Sequence, residues 1–159
     1  MKRSFVLLAL CVVISVTSSC AQGRFGFGVV LGEPTGLSGM YRIDRSNAVD
    51  GVLGFAPEDR FRIHMDYLWI RHPFGNPSFS LHYGVGGVIG FGRTMYLDAR
   101  DGYFVRTREL GFGARVPLGV DFEIPRSPCE LYFEIAPLLI LGPDAGVGLD
   151  FGFGFRIYP

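Results

Sequence analysis

The sequence predicts an all-β protein, an eight-stranded antiparallel up-and-down transmembrane β-barrel. After residue 22, apolar and polar residues alternate with period two, as in strands whose successive side chains point to opposite faces. Turn-forming residues divide this pattern into eight segments, and strands of nine or more residues are long enough to cross a bilayer when tilted. The sequence also contains 23 glycines and a single lysine, Lys2, whereas a water-facing surface normally carries many lysines.

Length and charge narrow the class of protein. A chain of 159 residues is expected to form one domain. Its 15 basic and 15 acidic residues cancel, whereas a nucleic-acid partner would call for a basic excess. We therefore expect no nucleic-acid binding.

The N-terminal residues have a pattern that is typical of an export signal. Lys2 and Arg3 precede an apolar run of about a dozen residues, which is too short for a transmembrane helix. Small residues follow and end at Ala21, so we predict a signal peptide over 1–21 and a barrel domain over 22–159. Alternatively, Cys20 is the lipid-bearing first residue of a lipoprotein, and the sequence leaves both readings open.

The first four segments cover 25–32, 37–44, 49–55 and 61–69. Glycines alternate with apolar residues in the first, and Glu33 to Gly36 form a turn after it. Turns at 45–47 and 57–60 separate the next two. The fourth is the clearest, because Phe, Ile, Met, Tyr and Trp line one face of 61–69 and mainly polar residues line the other.

The second four segments cover 79–91, 110–124, 131–139 and 147–157. Turns rich in proline and glycine at 71–78, 125–128 and 143–146 bound them. A longer polar loop is expected over 93–107. No amphipathic helix and no domain boundary interrupt the series.

Period two does not say which face of the barrel is apolar. A soluble barrel encloses its apolar face around a ligand, whereas a membrane barrel turns it toward lipid. The export signal, the glycine-rich polar face and the aromatic apolar face favour the membrane. A soluble periplasmic ligand-binding barrel is the weaker alternative.

Charged residues recur on the polar face of the strands. Because a narrow barrel is filled by its own side chains, these charges must pair inside it. The predicted interior network comprises Arg42, Asp44, Asp50, Arg62, His64, Asp66, Arg115, Asp121, Glu123, Glu134, Asp150 and Arg156. An alternative is that they line a narrow ion or solute path. Cys129 is the single cysteine of the barrel domain and cannot build a zinc site by itself, and we expect no metal and no cofactor.

Catalysis is the alternative function of another class. His64, Asp66, Ser80 and His82 share the polar face of two neighbouring segments and combine residue types that hydrolases use. A barrel enzyme acting on envelope lipid would place its site at the membrane edge, whereas these residues lie in the middle of strands. We therefore expect interior hydrogen bonding and no catalytic residues.

The loop over 93–107 is the best candidate for binding. With both termini in the periplasm, this fifth connection faces outside the cell. Exposed aromatic and arginine side chains suit protein contacts. The candidate residues are Tyr96, Arg100, Tyr103, Phe104 and Arg106.

Several motifs together resemble a family of small, largely uncharacterised outer-membrane β-barrel proteins of spirochaetes and other bacteria. They are GEPTGLS at 32–38, NAVD at 47–50, HMDYLW at 64–69, YGVGG at 83–87, RVPLG at 115–119 and FEIAP at 133–137. The resemblance implies an eight-stranded, OmpA/OmpX-like barrel and no reaction. We expect a non-enzymatic, monomeric outer-membrane protein whose partners are lipid and a candidate extracellular protein.

Overall fold

The alternating segments form strands, as the period-two pattern predicts. A computed structural model describes residues 23–56, 60–73, 75–98, 104–142 and 145–159; the side chains of 56, 60, 91–98 and 104–109 are outside that description. This part of the chain holds nine strand segments: β1 (Phe25–Glu33), β2 (Thr35–Arg42), β3 (Asn47–Ala56), β4 (Arg60–Arg71), β5 (Phe79–Asp98), β6 (Phe104–Arg115), β7 (Leu118–Glu123), β8 (Cys129–Gly142) and β9 (Gly146–Ile157). No helix within it is long and apolar enough to span a membrane. The predicted signal peptide and Cys20 lie outside the described residues.

The nine segments make eight strands. Segments β6 and β7 pair with β5 in one continuous register, through Gly86↔Arg115 and Tyr83↔Leu118. Between them, Pro117 interrupts the ladder because it has no N–H to donate, although its carbonyl accepts a hydrogen bond from Gly84 N at 2.9 Å. The prediction of one strand over 110–124 is therefore right, apart from this interruption.

Antiparallel pairing of neighbours closes the sheet into a barrel. Each strand pairs with the next along the chain, and β1 pairs with β9 from Phe27↔Ile157 to Glu33↔Phe151. The predicted eight-stranded antiparallel up-and-down barrel is confirmed. We call the end that carries the β1–β2, β3–β4, β5–β6 and β8–β9 connections the distal end, and the opposite one the terminal end.

The β5–β6 connection differs from the prediction. The expected loop over 93–107 is mostly strand, because β5 continues to Asp98, β6 begins at Phe104, and the two pair as far as Leu97↔Phe104. Its polar residues favoured a loop, but the segment also contains Thr94, Tyr96 and other residues of high strand propensity. Two paired strands satisfy their own backbone hydrogen bonds whatever the polarity of their side chains.

This hairpin reaches across the distal end. The β4–β5 ladder stops at Phe61↔Phe91, so the edge of β5 is free beyond it. That edge pairs with β9 at Leu97↔Val147 and Asp98↔Gly146, ahead of the point where β9 begins to pair with β1. The β5–β6 hairpin therefore leaves one side of the barrel and pairs with the other side.

The two faces of the sheet have opposite chemistry. Every strand segment turns large apolar side chains outward, among them Leu31, Phe55, Met65 and Leu149, each more than 60% exposed. Inward-facing side chains include 13 buried polar or charged residues, against 12 buried apolar ones. The interior is therefore not an apolar core but a mixed, strongly charged one.

Inward glycines leave room for the large interior groups. A Cβ atom at Gly154 would lie 2.0 Å from the ring of Tyr132, and one at Gly119 would lie 2.3 Å from Nε2 of His82. Any larger residue would displace these side chains. The glycines of the polar face thus provide the space that the bulky side chains inside the barrel occupy.

Candidate functional site

The structure turns eleven of the twelve predicted network residues into the barrel. Nine are fully buried, and Arg42 and Glu123 are partly exposed at the terminal end. They form three connected groups along the axis of the barrel, here called the terminal, middle and distal groups.

Arg156 of β9 is the centre of the terminal group. Its guanidinium donates to Asp50 Oδ1 at 2.7 Å, to Glu130 Oε1 at 3.2 Å and to Ser38 Oγ at 2.8 Å. It also lies 3.7 Å from the ring centroid of Tyr132, within the range of a cation–π contact. One cation therefore joins strands on opposite sides of the barrel.

A second arginine completes the terminal group. Arg42 pairs with Glu123 at 2.6 Å and with Glu130 at 2.5 Å. The hydroxyl of Tyr158 donates to Glu130 Oε1 at 3.1 Å, and Arg42 lies 4.5 Å from the centroid of that tyrosine ring. Glu130 thus accepts from two arginines and a tyrosine.

The middle group is centred on His82. Its Nδ1 lies 2.8 Å from Asp121 Oδ2, and its Nε2 lies 3.2 Å from Glu134 Oε2. The ring that satisfies both carboxylates is the doubly protonated imidazolium, which donates at both nitrogens. Ser80 also donates to Asp121 Oδ2, at 3.3 Å.

Arg115 links the middle group to the distal group. It contacts Glu134 and Nδ1 of His64, and its Nε lies 3.4 Å from Asp66 Oδ2. Its Nη1 lies 3.9 Å from Asp150 Oδ2. Arg62 closes the distal group by donating to Asp150 Oδ1 at 2.8 Å.

Asp44 corrects the prediction, because it does not face the interior. It lies exposed in the β2–β3 turn, where Oδ1 accepts from Ser46 N at 2.6 Å and Asn47 Nδ2 donates to the same carboxylate. These bonds lower the pKa of Asp44, the Asn47 contribution being the larger. β2 ends at Arg42, so the alternation does not extend to this residue.

Four interior partners were predicted neither for the network nor for interior hydrogen bonding: Ser38, Glu130, Tyr132 and Tyr158. The alternation did carry a signal for three of them, because Glu130 and Tyr132 share the phase of the inward Glu134 along β8, and Ser38 shares the phase of Arg42 along β2. Tyr158 follows the last residue of β9 and keeps its phase with Arg156. Expecting only charged side chains inside caused the tyrosines to be missed.

The geometry of Ser80 and His82 differs from that of a nucleophile and its base. In a hydrolase, histidine accepts a proton from serine with one nitrogen and bonds to a carboxylate with the other. Here both nitrogens of His82 face carboxylates, and Ser80 bonds to Asp121 instead. His64 is separate from them, because His82 lies opposite Ile70 in the β4–β5 ladder, six residues along β4 from His64.

The predicted binding residues lie largely beyond the described atoms. The backbones of Tyr96, Phe104 and Arg106 belong to the β5–β6 hairpin, and their side chains are outside the description. Arg100 and Tyr103 lie outside the described residues altogether. Their binding role stays a prediction.

The chain matches one family over most of its length. The family described as "Protein of unknown function (DUF3996)" matches residues 16–157, a range that includes all nine strand segments. The chain therefore belongs to this family. Among curated proteins, none matches it.

Proposed function

We propose that this member of the DUF3996 family is an integral β-barrel protein of the bacterial outer membrane, with a non-enzymatic role in envelope structure or surface interaction. The observation that carries the proposal is the apolar exterior. Soluble monomers rarely expose apolar patches larger than a few hundred Å². Here large apolar side chains are exposed on every strand of a closed barrel, so the apolar surface surrounds the molecule.

The height of the apolar exterior fits a bilayer. Outward positions of β8 run from Leu131 to Leu141, which is about 33 Å along the strand at ~3.3 Å per residue. At a strand tilt of about 40°, this corresponds to roughly 25 Å along the barrel axis. Transmembrane barrels carry an outward apolar band of about this height.

Aromatic side chains on the outer face also support a membrane location of the barrel. On the outer face toward the terminal end, Trp69 lies 5.3 Å from Tyr67 and 5.6 Å from Tyr83, measured between ring centroids. Toward the distal end, Phe55 and Phe61 form an edge-to-face pair at 5.5 Å. Tyrosine and tryptophan are enriched where membrane meets water, since their rings are apolar and their polar atoms need water.

The interior supports a structural role for the barrel wall. Paired charges and large side chains fill it, and catalysis by Ser80 and His82 lacks the required hydrogen bond between them. Surface interaction then falls to the distal connections, of which the β5–β6 hairpin continues to Leu97↔Phe104, beyond the end of the β4–β5 ladder at Phe61↔Phe91. Within the closed barrel each strand has a paired neighbour on both sides, which favours a monomer over edge-to-edge assembly.

Membrane fractionation and gel migration test this proposal. The full chain is expressed in a Gram-negative host, and the outer-membrane fraction is run on a denaturing gel with and without boiling. We expect the protein in that fraction, soluble only in detergent, with an unheated band that migrates differently from the boiled one. A protein that folds in buffer without detergent would overturn the membrane assignment.

Activity is tested separately from location. Ser80→Ala and His82→Gln are introduced, and the lipids of the host envelope are compared by mass spectrometry with those of cells making the original protein and of cells with empty vector. We expect identical lipid profiles in all strains. A lipid change that needs Ser80 or His82 would instead establish a barrel enzyme.

A further inference from the structure

Three buried side chains converge near the middle of the barrel. Asp50 of β3 and Asp66 of β4 lie directly opposite each other in the ladder, and His64 is the next inward residue on β4. One ligand-type atom from each lies within 4.8 Å of the others. All three residues are at most 5% exposed.

Two of the three lack hydrogen bonds that their burial demands. Both carboxylate oxygens of Asp66 and Nε2 of His64 are buried without a hydrogen-bond partner. The charged contacts of Asp66 are long, since its Oδ2 lies 3.4 Å from Arg115 Nε and 4.0 Å from His64 Nε2, whereas Nδ1 of His64 is in contact with Arg115. A buried carboxylate with no hydrogen bond costs free energy unless another group compensates it.

The charges inside the barrel do not balance. Among the described side chains, four guanidinium groups face seven carboxylates, namely Arg42, Arg62, Arg115 and Arg156 against Asp50, Asp66, Asp121, Glu123, Glu130, Glu134 and Asp150. Protonated His82 raises the positive count to five. If every one of these carboxylates is ionised, two negative charges remain, which equals the charge of one divalent cation.

A cavity leads to the cluster. Its space of about 270 Å³ includes open solvent, and Asp50, His64, Arg115 and Asp150 are among the residues that line it. It extends to Glu33 and Pro34 at the β1–β2 connection, which lies at the distal end. The cavity therefore borders Asp50 and His64 on the side of the distal end.

We propose that Asp50, His64 and Asp66 form a binding site for one divalent transition-metal cation, such as Zn²⁺ or Mn²⁺. Imidazole nitrogen with carboxylate oxygens is a donor set that these ions accept, and each ion tolerates water in its other positions. The ion takes the place of Arg115 beside both Asp66 and His64, and Arg115 keeps Glu134 and the nearby Asp150. His64 then ligates as the neutral ring, as metal-bound histidine does.

Direct binding tests the proposal. Purified folded protein, in whichever medium keeps it folded, is titrated with Zn²⁺ in competition with a chromophoric chelator, after prior removal of metal with EDTA. We expect one saturable site per chain. Replacing a residue that hydrogen-bonds to a metal ligand commonly costs roughly 10- to 100-fold in metal affinity. Replacing a ligand itself, as in His64→Gln or Asp66→Asn, should therefore cost at least about 100-fold.

Matched variants separate this site from other histidines and from misfolding. His72→Gln changes an exposed histidine in the β4–β5 turn and should leave the affinity unaltered. The circular dichroism of each variant is compared with that of the original chain. With Mn²⁺ in the original chain, nitrogen coupling in pulsed electron paramagnetic resonance should report the imidazole of His64, and this measurement needs no variant to fold.

Three results would overturn the proposal. The first is an original chain that binds less than one equivalent of either ion. The second is binding that survives in folded His64→Gln and Asp66→Asn, or that is lost in His72→Gln. The third is an infrared band of a protonated carboxyl group that persists with metal present and disappears in Asp66→Asn, because a proton would then neutralise the site.

Discussion

Arg156 and Asp50 form an ion pair of 2.7 Å through the interior of the barrel, although β9 and β3 are separated in the sheet by β1 and β2. Backbone pairing cannot produce this contact, because only neighbouring strands share ladder hydrogen bonds. The pair therefore ties together parts of the wall that the ladder does not connect directly. Both groups are almost completely buried, at 1% exposure each.

Replacing Arg156 with Met should destabilise the protein strongly. The variant leaves Asp50 and Glu130 buried without their shared cation, and breaking a buried ion pair from one side costs about 3–5 kcal/mol. Arg156→Lys keeps the charge but loses the planar guanidinium that reaches several acceptors at once. Its free energy of unfolding should therefore lie between those of the original chain and Arg156→Met. The free energy of unfolding from denaturant titration measures the three proteins.

An exposed arginine supplies the control for this experiment. Arg45 lies in the β2–β3 turn, and Arg45→Ala should change the free energy of unfolding by no more than about 0.5 kcal/mol. Equal decreases in the free energy of unfolding of Arg45→Ala and Arg156→Met would mean that the buried ion pair contributes no more to stability than an exposed arginine does. In that case the wall would derive its stability from the ladder alone.

Most of the fold could be predicted because one physical signal ran through the whole chain. Alternation with period two places each side chain on a face, so the inward positions of Arg62, His64 and Asp66 followed from those of Phe61 and Ile63. Turn residues such as Pro34 marked where strands end. The continuation of β5 and β6 could not be predicted, because pairing between strands depends on a partner that local composition does not reveal.

The site could be predicted only as a set of residues. Alternation put Asp50, His64 and Asp66 on one face, but their convergence depends on the register of β3 against β4, which fixes Asp50 opposite Asp66. Which arginine serves which carboxylate depends on distances across the barrel that no sequence pattern encodes. Asp44 shows the opposite failure, since local hydrogen bonds in a turn overrode the period of the strand.

A methyl group at Gly86 should disturb the distal group. A Cβ atom there would lie 1.8 Å from Asp66 Oδ1 and 2.5 Å from Met65 O, so Gly86→Ala must displace the carboxylate and the backbone. Overpacking of this kind costs about 1–3 kcal/mol. Gly90→Ala is the matched change on the same strand, because its Cβ would meet nothing closer than 3.5 Å. Denaturant titration should show a decrease in the free energy of unfolding only for Gly86→Ala. Equal decreases in the two variants would contradict the described packing.

The Asp44 turn should give a small dependence of stability on pH. Hydrogen bonds from Asn47 and Ser46 hold the pKa of Asp44 below its ordinary value of 3.8 in the folded protein. The ionised carboxylate therefore contributes stability above the pKa of the unfolded chain, and this contribution is lost as pH falls through the lower folded pKa. The difference in free energy of unfolding between the original chain and Asp44→Ala should shrink as pH falls from 6 toward that lower pKa. A difference that grows on acidification would contradict this reading of the turn.

The proposed lipid contact predicts that the cost of an outward arginine depends on depth. Ile135 lies near the middle of the outward row of β8, and Leu141 lies at its distal end. In lipid vesicles, Ile135→Arg should lower the free energy of unfolding by about 2–4 kcal/mol, and Leu141→Arg should lower it by about 0–1 kcal/mol. Both side chains are at least 40% exposed, so a barrel surrounded by water would tolerate both changes equally. Folding titrations in vesicles compare the two variants. A loss of stability that is the same at both positions would contradict a lipid-facing exterior, because only a bilayer distinguishes the middle of the strand from its end.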